Sequence, residues 1–236
     1  MLLKNENELE RFLRDVIFPL NKNEAYCIML GARKKYLKSE EKELYNMNGT
    51  DMLRRFILKG PNKPSVDTIR QIIYEWSHGN FTDKNGKKIP EHAFTIFLTV
   101  NPRSQEKASL DTIRQLTEAL YRGATINLES LVKTNLHKNA SEKYFMDFDV
   151  DIDDGEDREK ILHSVLNELG DTKSHVIMTR GGYHILIDKR QIDPKIKNTF
   201  YKAITGLQFK GEVEVKNDSM VPLAGCSCGG TIVKML

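Results

Sequence analysis

Cysteine, tryptophan and proline are scarce in this chain, and long apolar runs are missing. The 236 residues include three cysteines, one tryptophan and seven prolines. Three unevenly spaced cysteines are too few for a disulfide framework, so a reducing compartment is expected. No apolar run approaches the roughly 20 residues of a membrane helix, and the acidic N-terminal stretch lacks the features of a signal peptide. We therefore predict a soluble, cytoplasmic protein that does not contact a membrane.

The chain also lacks a strong excess of charge of either sign. Its formal net charge is +3, from 36 basic and 33 acidic residues. This balance does not by itself indicate a nucleic-acid-binding protein, although local basic clusters could still bind nucleic acid. Hydrophobic residues make up 39% of the chain and charged residues 29%, as in ordinary globular proteins. A chain of this length can bury a real core, as one large domain or as two closely joined modules.

Hydrophobic periodicity predicts a change of architecture near Asn139. Helical spacing predominates before it, with helices predicted at residues 2–18, 51–59, 66–77, 110–121 and 128–136 and strands at 25–30 and 92–100. After it, we predict a strand at 144–150, a helix at 157–169, hairpin strands at 174–179 and 183–187, a helix at 194–207, and strands at 212–216 and 220–224. The fold class is therefore α+β. A helix-rich N-terminal α/β module of residues 1–139 precedes a C-terminal module of residues 140–236 with a mostly antiparallel sheet.

The segment KYFMDFDVDIDD at residues 143–154 changes from an apolar strand to alternating acids. Because side chains alternate across a strand, Asp147 and Asp149 are expected on one face and Phe148 on the other. Adjacent carboxylates repel each other unless a cation lies between them, and Mg²⁺ and Mn²⁺ prefer such oxygen ligands. A solvated strand edge is the alternative, whereas an EF-hand is excluded because its register would put apolar residues at both end positions. We expect the remaining acids to lie in the exit loop: Asp151, Asp153 and Asp154.

The segment TRGGYHILI at residues 179–187 predicts a tight hairpin that could bind an anion. Gly181 and Gly182 allow a sharp bend and a close approach of backbone N–H groups to a ligand. Arg180 and His184 add side-chain donors to the same hairpin, which favours a phosphate. The alternative is an ordinary Gly-Gly hairpin whose histidine is held by internal hydrogen bonds.

Two single residues are further candidates for a site. Asp218 follows a predicted strand, where it could complete a three-carboxylate metal site or simply cap a turn. Arg103 follows Pro102 at the end of the strand at residues 92–100, a position that suits either phosphate recognition or the start of a helix.

A basic group and a cysteine pair complete the candidates. The basic residues 33–35 precede Tyr36 and could contact nucleic acid, although a solvated turn is the plainer interpretation. Cys226 and Cys228 suggest zinc, but the chain contains no second close Cys/His pair to complete a tetrahedral site.

The order and spacing of these motifs resemble the archaeo-eukaryotic primase superfamily, especially the primase-polymerase domains of phages and mobile elements. Asp-Phe-Asp at residues 147–149 is similar to the paired-aspartate motif of that family. Gly-Tyr-His at residues 182–184 is similar to its small-x-His motif, and Asp218 stands where its third, single-acid motif belongs. The resemblance is specific over residues 144–233 and thinner over the N-terminal part.

The resemblance implies an archaeo-eukaryotic primase fold with an RRM-like C-terminal module. It also implies metal-dependent, template-directed nucleotidyl transfer that makes or extends primers on single-stranded DNA in DNA replication. The metal ligands for two Mg²⁺ or Mn²⁺ ions would be Asp147, Asp149 and Asp218. The residues that bind the incoming NTP or dNTP would be His184, Gly182, Gly181, Arg180 and Arg103. The implied partners are a single-stranded DNA template with its primer, and a replicative helicase is a further candidate.

Two departures from the family pattern keep other functions open. Residues 224–228 include two cysteines where relatives have a plainer Gly-Thr/Ser pattern, and the chain has no zinc-binding insertion of the kind that many primases carry. The alternatives are a non-catalytic module that binds single-stranded nucleic acid or nucleotides in replication, and an end-joining or repair polymerase on the same fold. A replication-origin histidine nuclease is not expected, because the chain has no His-apolar-His pair.

Overall fold

A computed structural model describes residues 1–216 and 220–236 of the chain. Over these residues the helices are α1 Glu6–Asp15, α2 Val66–Ser77, α3 Gln105–Tyr121, α4 Leu128–Lys138, α5 Arg158–Leu169 and α6 Phe200–Thr205. The first strands are β1 Glu24–Arg33, β2 Thr50–Lys59, β3 Phe94–Thr99, β4 Arg103–Ser104, β5 Phe145–Ile152 and β6 Ser174–Met178. The later strands are β7 Gly182–Asp188, β8 Gly211–Lys216, β9 Met220–Pro222, β10 Ser227–Cys228, β11 Thr231–Ile232 and β12 Lys234–Met235.

Local side-chain caps explain where most helices begin. In α1 to α5 the residue before the helix accepts a hydrogen bond from a backbone N–H of the first turn. Those residues are Asn5, Ser65, Ser104, Asn127 and Asp157. Each such cap satisfies a backbone donor that the helix leaves unpaired and contributes about 1 kcal/mol.

The first sheet is built around β1, which is buried along nearly its whole length. Its strand order is β11-β10-β3-β1-β2, with β4 paired to β1 and β9 paired to β3, and all pairs are antiparallel. On one face, Ile28 belongs to the same core cluster as Phe12 of α1 and Ile73 of α2. On the other face, Cys27 belongs to a smaller cluster with Leu136 of α4.

The second sheet has the antiparallel order β12-β6-β7-β5-β8. Its chain order β5-α5-β6-β7-α6-β8 is that of a split βαβ unit. Phe148 and Ile185 on one face pack with Val165 of α5 and Ile204 of α6. Leu186 on the opposite face belongs to the main core cluster, so that face is directed toward the first sheet.

The α+β class is confirmed, but some predicted elements are wrong. Residues 51–59 are not helical, because they pair along their length with β1 as the edge strand β2. Their side chains alternate between exposed and half-buried, as expected for a strand. The N-terminal part therefore contains one strand more and one helix fewer than predicted from residues 51–59, although helix still predominates there. The helix predicted at residues 194–207 is limited to α6, and the segment before it forms turns.

The predicted boundary at Asn139 does not separate the two sheets. Val221 of β9 pairs with Leu98, and Cys228 of β10 pairs with Thr95, so the C-terminal segment returns to the first sheet. The last strand, β12, then pairs with β6 of the second sheet. The C-terminal segment therefore joins both sheets. No helix in the described ranges is both long enough and apolar enough to cross a membrane.

Candidate functional site

The paired acids of β5 lie beside a histidine of the neighbouring strand. Asp149 is the direct partner of His184 in the antiparallel pairing of β5 with β7. His184 Nδ1 lies 3.0 Å from Asp147 Oδ2, and its Nε2 lies 3.6 Å from Asp149 Oδ1. Phe148 points into the core on the other side of the sheet. The prediction that Asp147 and Asp149 share one face is confirmed, and the imidazole of His184 lies between their carboxylates.

A lysine from the other neighbouring strand completes this charged group. Lys216 is the last residue of β8, which pairs with β5 on the side opposite β7. Its Nζ lies 2.5 Å from Asp149 Oδ2 and 3.1 Å from Glu214 Oε2. Lys216 was missed by the sequence analysis because its contact with Asp149 depends on the order of strands in the sheet.

Burial and charge act in opposite directions on these groups. Burial alone raises the pKa of Asp149, but His184 and Lys216 outweigh burial and hold that pKa below its ordinary value. Burial alone lowers the pKa of His184, but Asp147 and Asp149 outweigh it and raise that pKa above its ordinary value. The charged forms of both residues are therefore favoured, and each stabilises the other.

Asp149, His184 and Lys216 line a cavity of about 160 Å³ between the two sheets, whereas Asp147 is buried behind it. From the second sheet and its hairpin, the lining includes Asp149, Asp151, Thr179, Gly181, His184 and Lys216. From the first sheet and its connections, it includes Arg33, Lys35, Tyr36, Thr50, Phe97, Met220 and Pro222. The cavity thus has an acidic wall on β5 and a basic, aromatic wall on the first sheet.

Three cations surround the ring of Tyr36 on this basic wall. The Arg33 and Arg180 guanidinium carbons lie 5.3 and 5.5 Å from the ring centroid, and Lys35 Nζ lies 5.8 Å from it. Lys35 is also 3.8 Å from Asp151 Oδ1, whereas neither arginine forms an ion pair within the described residues. Two guanidinium groups that converge without carboxylate partners favour the binding of an anion.

The basic residues 33–35 and Tyr36 lie at the cavity. The sequence predicted either a solvated turn or a nucleic-acid contact for them. Tyr36 is buried, and its hydroxyl lies 3.3 Å from an Arg33 guanidinium nitrogen and 3.1 Å from Cys228 Sγ. Cys226 is also buried, and no cluster suited to zinc forms around the two C-terminal cysteines in the part of the chain that is described.

The Gly-Gly hairpin is packed closely against β5. A Cβ on Gly182 would lie 1.8 Å from the carbonyl oxygen of Val150, and Gly182 adopts a φ of +156°. The close approach of Gly182 is therefore to the backbone of β5. Gly181 lines the cavity beside Asp151, and the adjacent Arg180 donates to the carbonyl of Gly229 at 3.1 Å.

One acidic residue, Asp151, and one basic residue, Arg103, lie elsewhere than expected. Asp151 was predicted in the exit loop, but β5 continues to Ile152 and so includes it. Arg103 was predicted to bind phosphate, but its side chain is 0% exposed and does not line the cavity. Its role in phosphate binding stays a prediction, and the helix start that was its alternative is observed, because α3 begins two residues after Arg103.

The donor chemistry of the acidic wall fits a hard divalent cation. Asp147 and Asp149 present carboxylate oxygens from one face of one strand, which suits Mg²⁺ or Mn²⁺. Asp218, the predicted third ligand, lies outside the described residues. Among the residues that are described, no group of three or more His, Cys, Asp or Glu side chains is arranged to hold a metal.

Comparisons with known proteins identify no relative. No protein-family model matches the chain, and neither a curated protein nor a solved structure matches it. A functional assignment therefore depends on the residues of the cavity and on the resemblance of the motifs.

Proposed function

We propose that the chain is a metal-dependent, template-directed nucleotidyltransferase that makes or extends primers on single-stranded DNA, with an archaeo-eukaryotic primase fold. The observation that carries this proposal is the juxtaposition of Asp147, Asp149 and His184, of which Asp149 and His184 line the cavity and Asp147 is buried beside the His184 ring. These residues come from the two motifs that resemble the family, and His184 lies 35 or more positions after the two acids in sequence. The split βαβ order of the second sheet is consistent with the RRM-like module that the resemblance implies.

The acidic wall would hold the metal ions. Asp147 and Asp149, with Asp218, would bind two Mg²⁺ or Mn²⁺ ions, which when bound supply activation of a 3′-hydroxyl and neutralise triphosphate charge. Asp147 also holds His184 through Nδ1, which fixes the orientation of the ring. The opposite nitrogen, Nε2, is then directed toward the cavity side of Asp149, where it could donate to a phosphate oxygen.

The basic wall would bind the triphosphate of the incoming nucleotide. Arg33, Lys35 and Arg180 surround Tyr36 within 6 Å of its ring centroid. A triphosphate placed between these cations and the acidic wall would relieve the repulsion among the cations. Phosphoryl transfer depends mainly on positioning and electrostatic stabilisation, which these side chains provide.

Primer extension tests this proposal. The substrate is a labelled primer annealed to a longer DNA template, with Mn²⁺ and dNTPs, and the variant is Asp147→Asn combined with Asp149→Asn. We expect extension by the wild type and at least about a 100-fold loss in the variant, because both metal-binding carboxylates are removed. Asp154→Asn is the matched control, since Asp154 is exposed just beyond β5. Extension that persists in the double variant would contradict the site assignment.

A non-catalytic nucleotide- or single-stranded DNA-binding module is the second candidate. The observation that favours it is that both acids already have protein cations as partners, with His184 beside Asp147 and Lys216 beside Asp149. A lysine in this position competes with a metal ion for the carboxylate. Measurement of pyrophosphate release separates the two candidates, because a silent module would bind nucleotide or DNA and release none.

A further inference from the structure

A trough on the first sheet leads away from the cavity. Its floor is one face of β1, β2 and β3, and we define the β2 trough by the residues of that face: Arg33, Gly31, Phe97, Thr50, Met52 and Arg55. Thr50, Met52 and Arg55 follow one another along this face of β2, with a bulge after Met52. Thr50 lines the nucleotide cavity, whereas Met52 and Arg55 line a second cavity of about 400 Å³. The strand register therefore makes the two cavities neighbours on one surface.

Arg55 is the chemically unusual residue of this trough. Its guanidinium is half-buried, and its hydrogen-bond acceptors are the thioether sulfurs of Met29 at 3.3 Å and Met52 at 2.9 Å. Thioether sulfur is a weak acceptor, and Arg55 forms no ion pair with any described carboxylate. A partly desolvated guanidinium with weak partners favours an anionic ligand, and phosphate oxygens match its donors.

The far wall of the trough is the N-terminal part of α4. Asn127, Ser130 and Lys133 line the second cavity there, opposite Arg55. Glu129 also lines this cavity, but its carboxylate pairs with Lys133 at 2.5 Å. Arg54 also lines this cavity, but its guanidinium lies on the opposite face of β2, over the ring of Phe81. Arg55 is consequently the cation on the trough face that an acidic side chain does not already neutralise within the described residues.

A glycine leaves the floor between the two cavities without a side chain at one position. A Cβ on Gly31 would lie 3.3 Å from the ring of Phe97, so a larger residue would crowd the floor. Phe97 and Arg55 lie in one row across the strands, because each is the register partner of Met29. By the rise of four strand residues, Arg33 and Arg55 are roughly 13 Å apart. The trough thus has two spaced cations, with the ring of Phe97 and the thioether of Met52 as apolar surface on the same face.

We propose that the β2 trough binds a single-stranded DNA template and guides it into the nucleotide cavity, with Arg55 contacting the sugar-phosphate backbone. Spaced cations with interleaved aromatic and apolar surface suit an unpaired strand, whose phosphates and base faces they contact separately. An amphipathic helix or a second copy of the chain would gain nothing from a cation on the floor. Naming the strand as template rests on the proposed function, whereas its binding in the trough does not.

The test compares two neighbouring arginines on opposite faces of β2. Arg55 faces the trough, whereas Arg54 points to the other face, where it lies over the ring of Phe81 at 5.2 Å. Arg55→Gln and Arg54→Gln remove the same charge from adjacent positions. The measurement is fluorescence anisotropy of a labelled oligothymidylate of about 20 nucleotides, without metal or nucleotide, over a series of salt concentrations.

We expect about tenfold weaker binding for Arg55→Gln and little change for Arg54→Gln. The slope of log affinity against log salt should also fall by about 0.7 for Arg55→Gln, because one phosphate contact is lost. Arg55→Lys should retain part of the affinity, because the positive charge remains. Unchanged thermal melting of each variant establishes that it folds. Equal weakening by both glutamine variants, or no binding by the wild type, would overturn the proposal.

Failure of this proposal is distinguishable from failure of the proposed function. The double variant of Asp147 and Asp149 should still bind the oligonucleotide, because the trough lies outside the acidic wall. If the wild type extends primers but Arg55→Gln does not weaken DNA binding, the proposed enzyme is supported and the proposed trough is rejected. If DNA binding depends on Arg55 but the wild type extends no primer, the proposed trough is supported and the proposed enzyme activity is rejected.

Discussion

At the residue scale, the site is a balance between buried charges of opposite sign. Asp149 lies between His184 and Lys216, which come from the strands on either side of β5. Desolvation of a carboxylate is costly, and it is offset here by two nearby cations. The ionised state of Asp149 therefore depends on its neighbours more than on its own strand.

Replacement of Lys216 should change the titration of Asp149. In Lys216→Met we expect the pKa of Asp149 to rise, because burial raises it and one of the three cations that lower it, His184, Lys216 and Lys35, is removed. Carboxyl ¹³C NMR titration of wild type and variant measures this pKa directly. Lys210→Met, at an exposed position before β8, is the control and should leave the titration unchanged. An unchanged pKa in Lys216→Met would contradict the role of Lys216 in holding Asp149 ionised.

At the element scale, the hairpin of β6 and β7 carries the histidine to the acids. The two glycines at its turn were predicted to allow close approach to a ligand, and Gly182 instead approaches the backbone of Val150. This approach lets β7 pair with β5 up to the turn, with Gly182 opposite Asp151. The register that places His184 across from Asp149 starts from this contact.

Alanine at position 182 should disrupt that register. We expect Gly182→Ala to lower the free energy of unfolding by about 2–4 kcal/mol, because the new Cβ would collide with Val150 and the positive φ disfavours other residues. Urea unfolding measures the change. Gly49→Ala is the matched control: nothing lies within 4 Å of its Cβ, so we expect less than about 0.5 kcal/mol. Equal stability of the two variants would contradict the close packing.

Elements with strong local signals were predicted well, and β2 was not. The helix over residues 66–77 was predicted with the bounds that α2 has, and α2 has both a serine cap and a buried apolar stripe. Residues 51–59 mix apolar and charged side chains in an order that fits either a helix or a strand. Pairing with β1 decides between them, and that pairing joins segments that are distant in sequence.

At the scale of the whole molecule, the two sheets share one C-terminal segment and one main core. Tyr36 and Cys228 are 192 positions apart in sequence, yet their side chains lie 3.1 Å from each other beside the cavity. Ile177 and Leu186 of the second sheet belong to the same core cluster as β1. The cavity between the sheets is therefore held by long-range packing on both sides.

The stability of the whole molecule should depend on the protonation of His137. Burial, followed by the positive charges of Arg103 and Arg55, lowers the pKa of His137 to about 4. The unfolded chain has the ordinary value of about 6.5, so between these pH values the unfolded state binds a proton that the folded state does not. Stability is therefore lost as the pH falls through this window, by about 1–2 kcal/mol after allowance for partial exposure.

Unfolding free energies measured in urea from about pH 7 to pH 4 check this expectation. His137→Gln should lose less stability over the window than the wild type, because glutamine does not titrate. His163→Gln, at an exposed position on α5, is the control and should keep the pH dependence of the wild type. If His137→Gln retained the full dependence, His137 would not be its source.

The sequence by itself determined the local features of this protein. The period of a strand puts Asp147 and Asp149 on one face, and hydrogen bonds between residues three positions apart begin most of its helices. Both features involve near neighbours in the chain, so periodicity and residue type are sufficient to predict them. The α+β class follows from the same local patterns.

Only the tertiary structure decided which residues meet at the cavity. Lys216 reaches Asp149 because β8 pairs with β5, and the basic wall around Tyr36 faces the acids because the C-terminal segment joins both sheets. Arg103 is fully buried and does not line the cavity, and no motif predicts that burial. Sheet order and burial arise from packing between segments far apart in sequence, and a single sequence carries little local signal for such contacts.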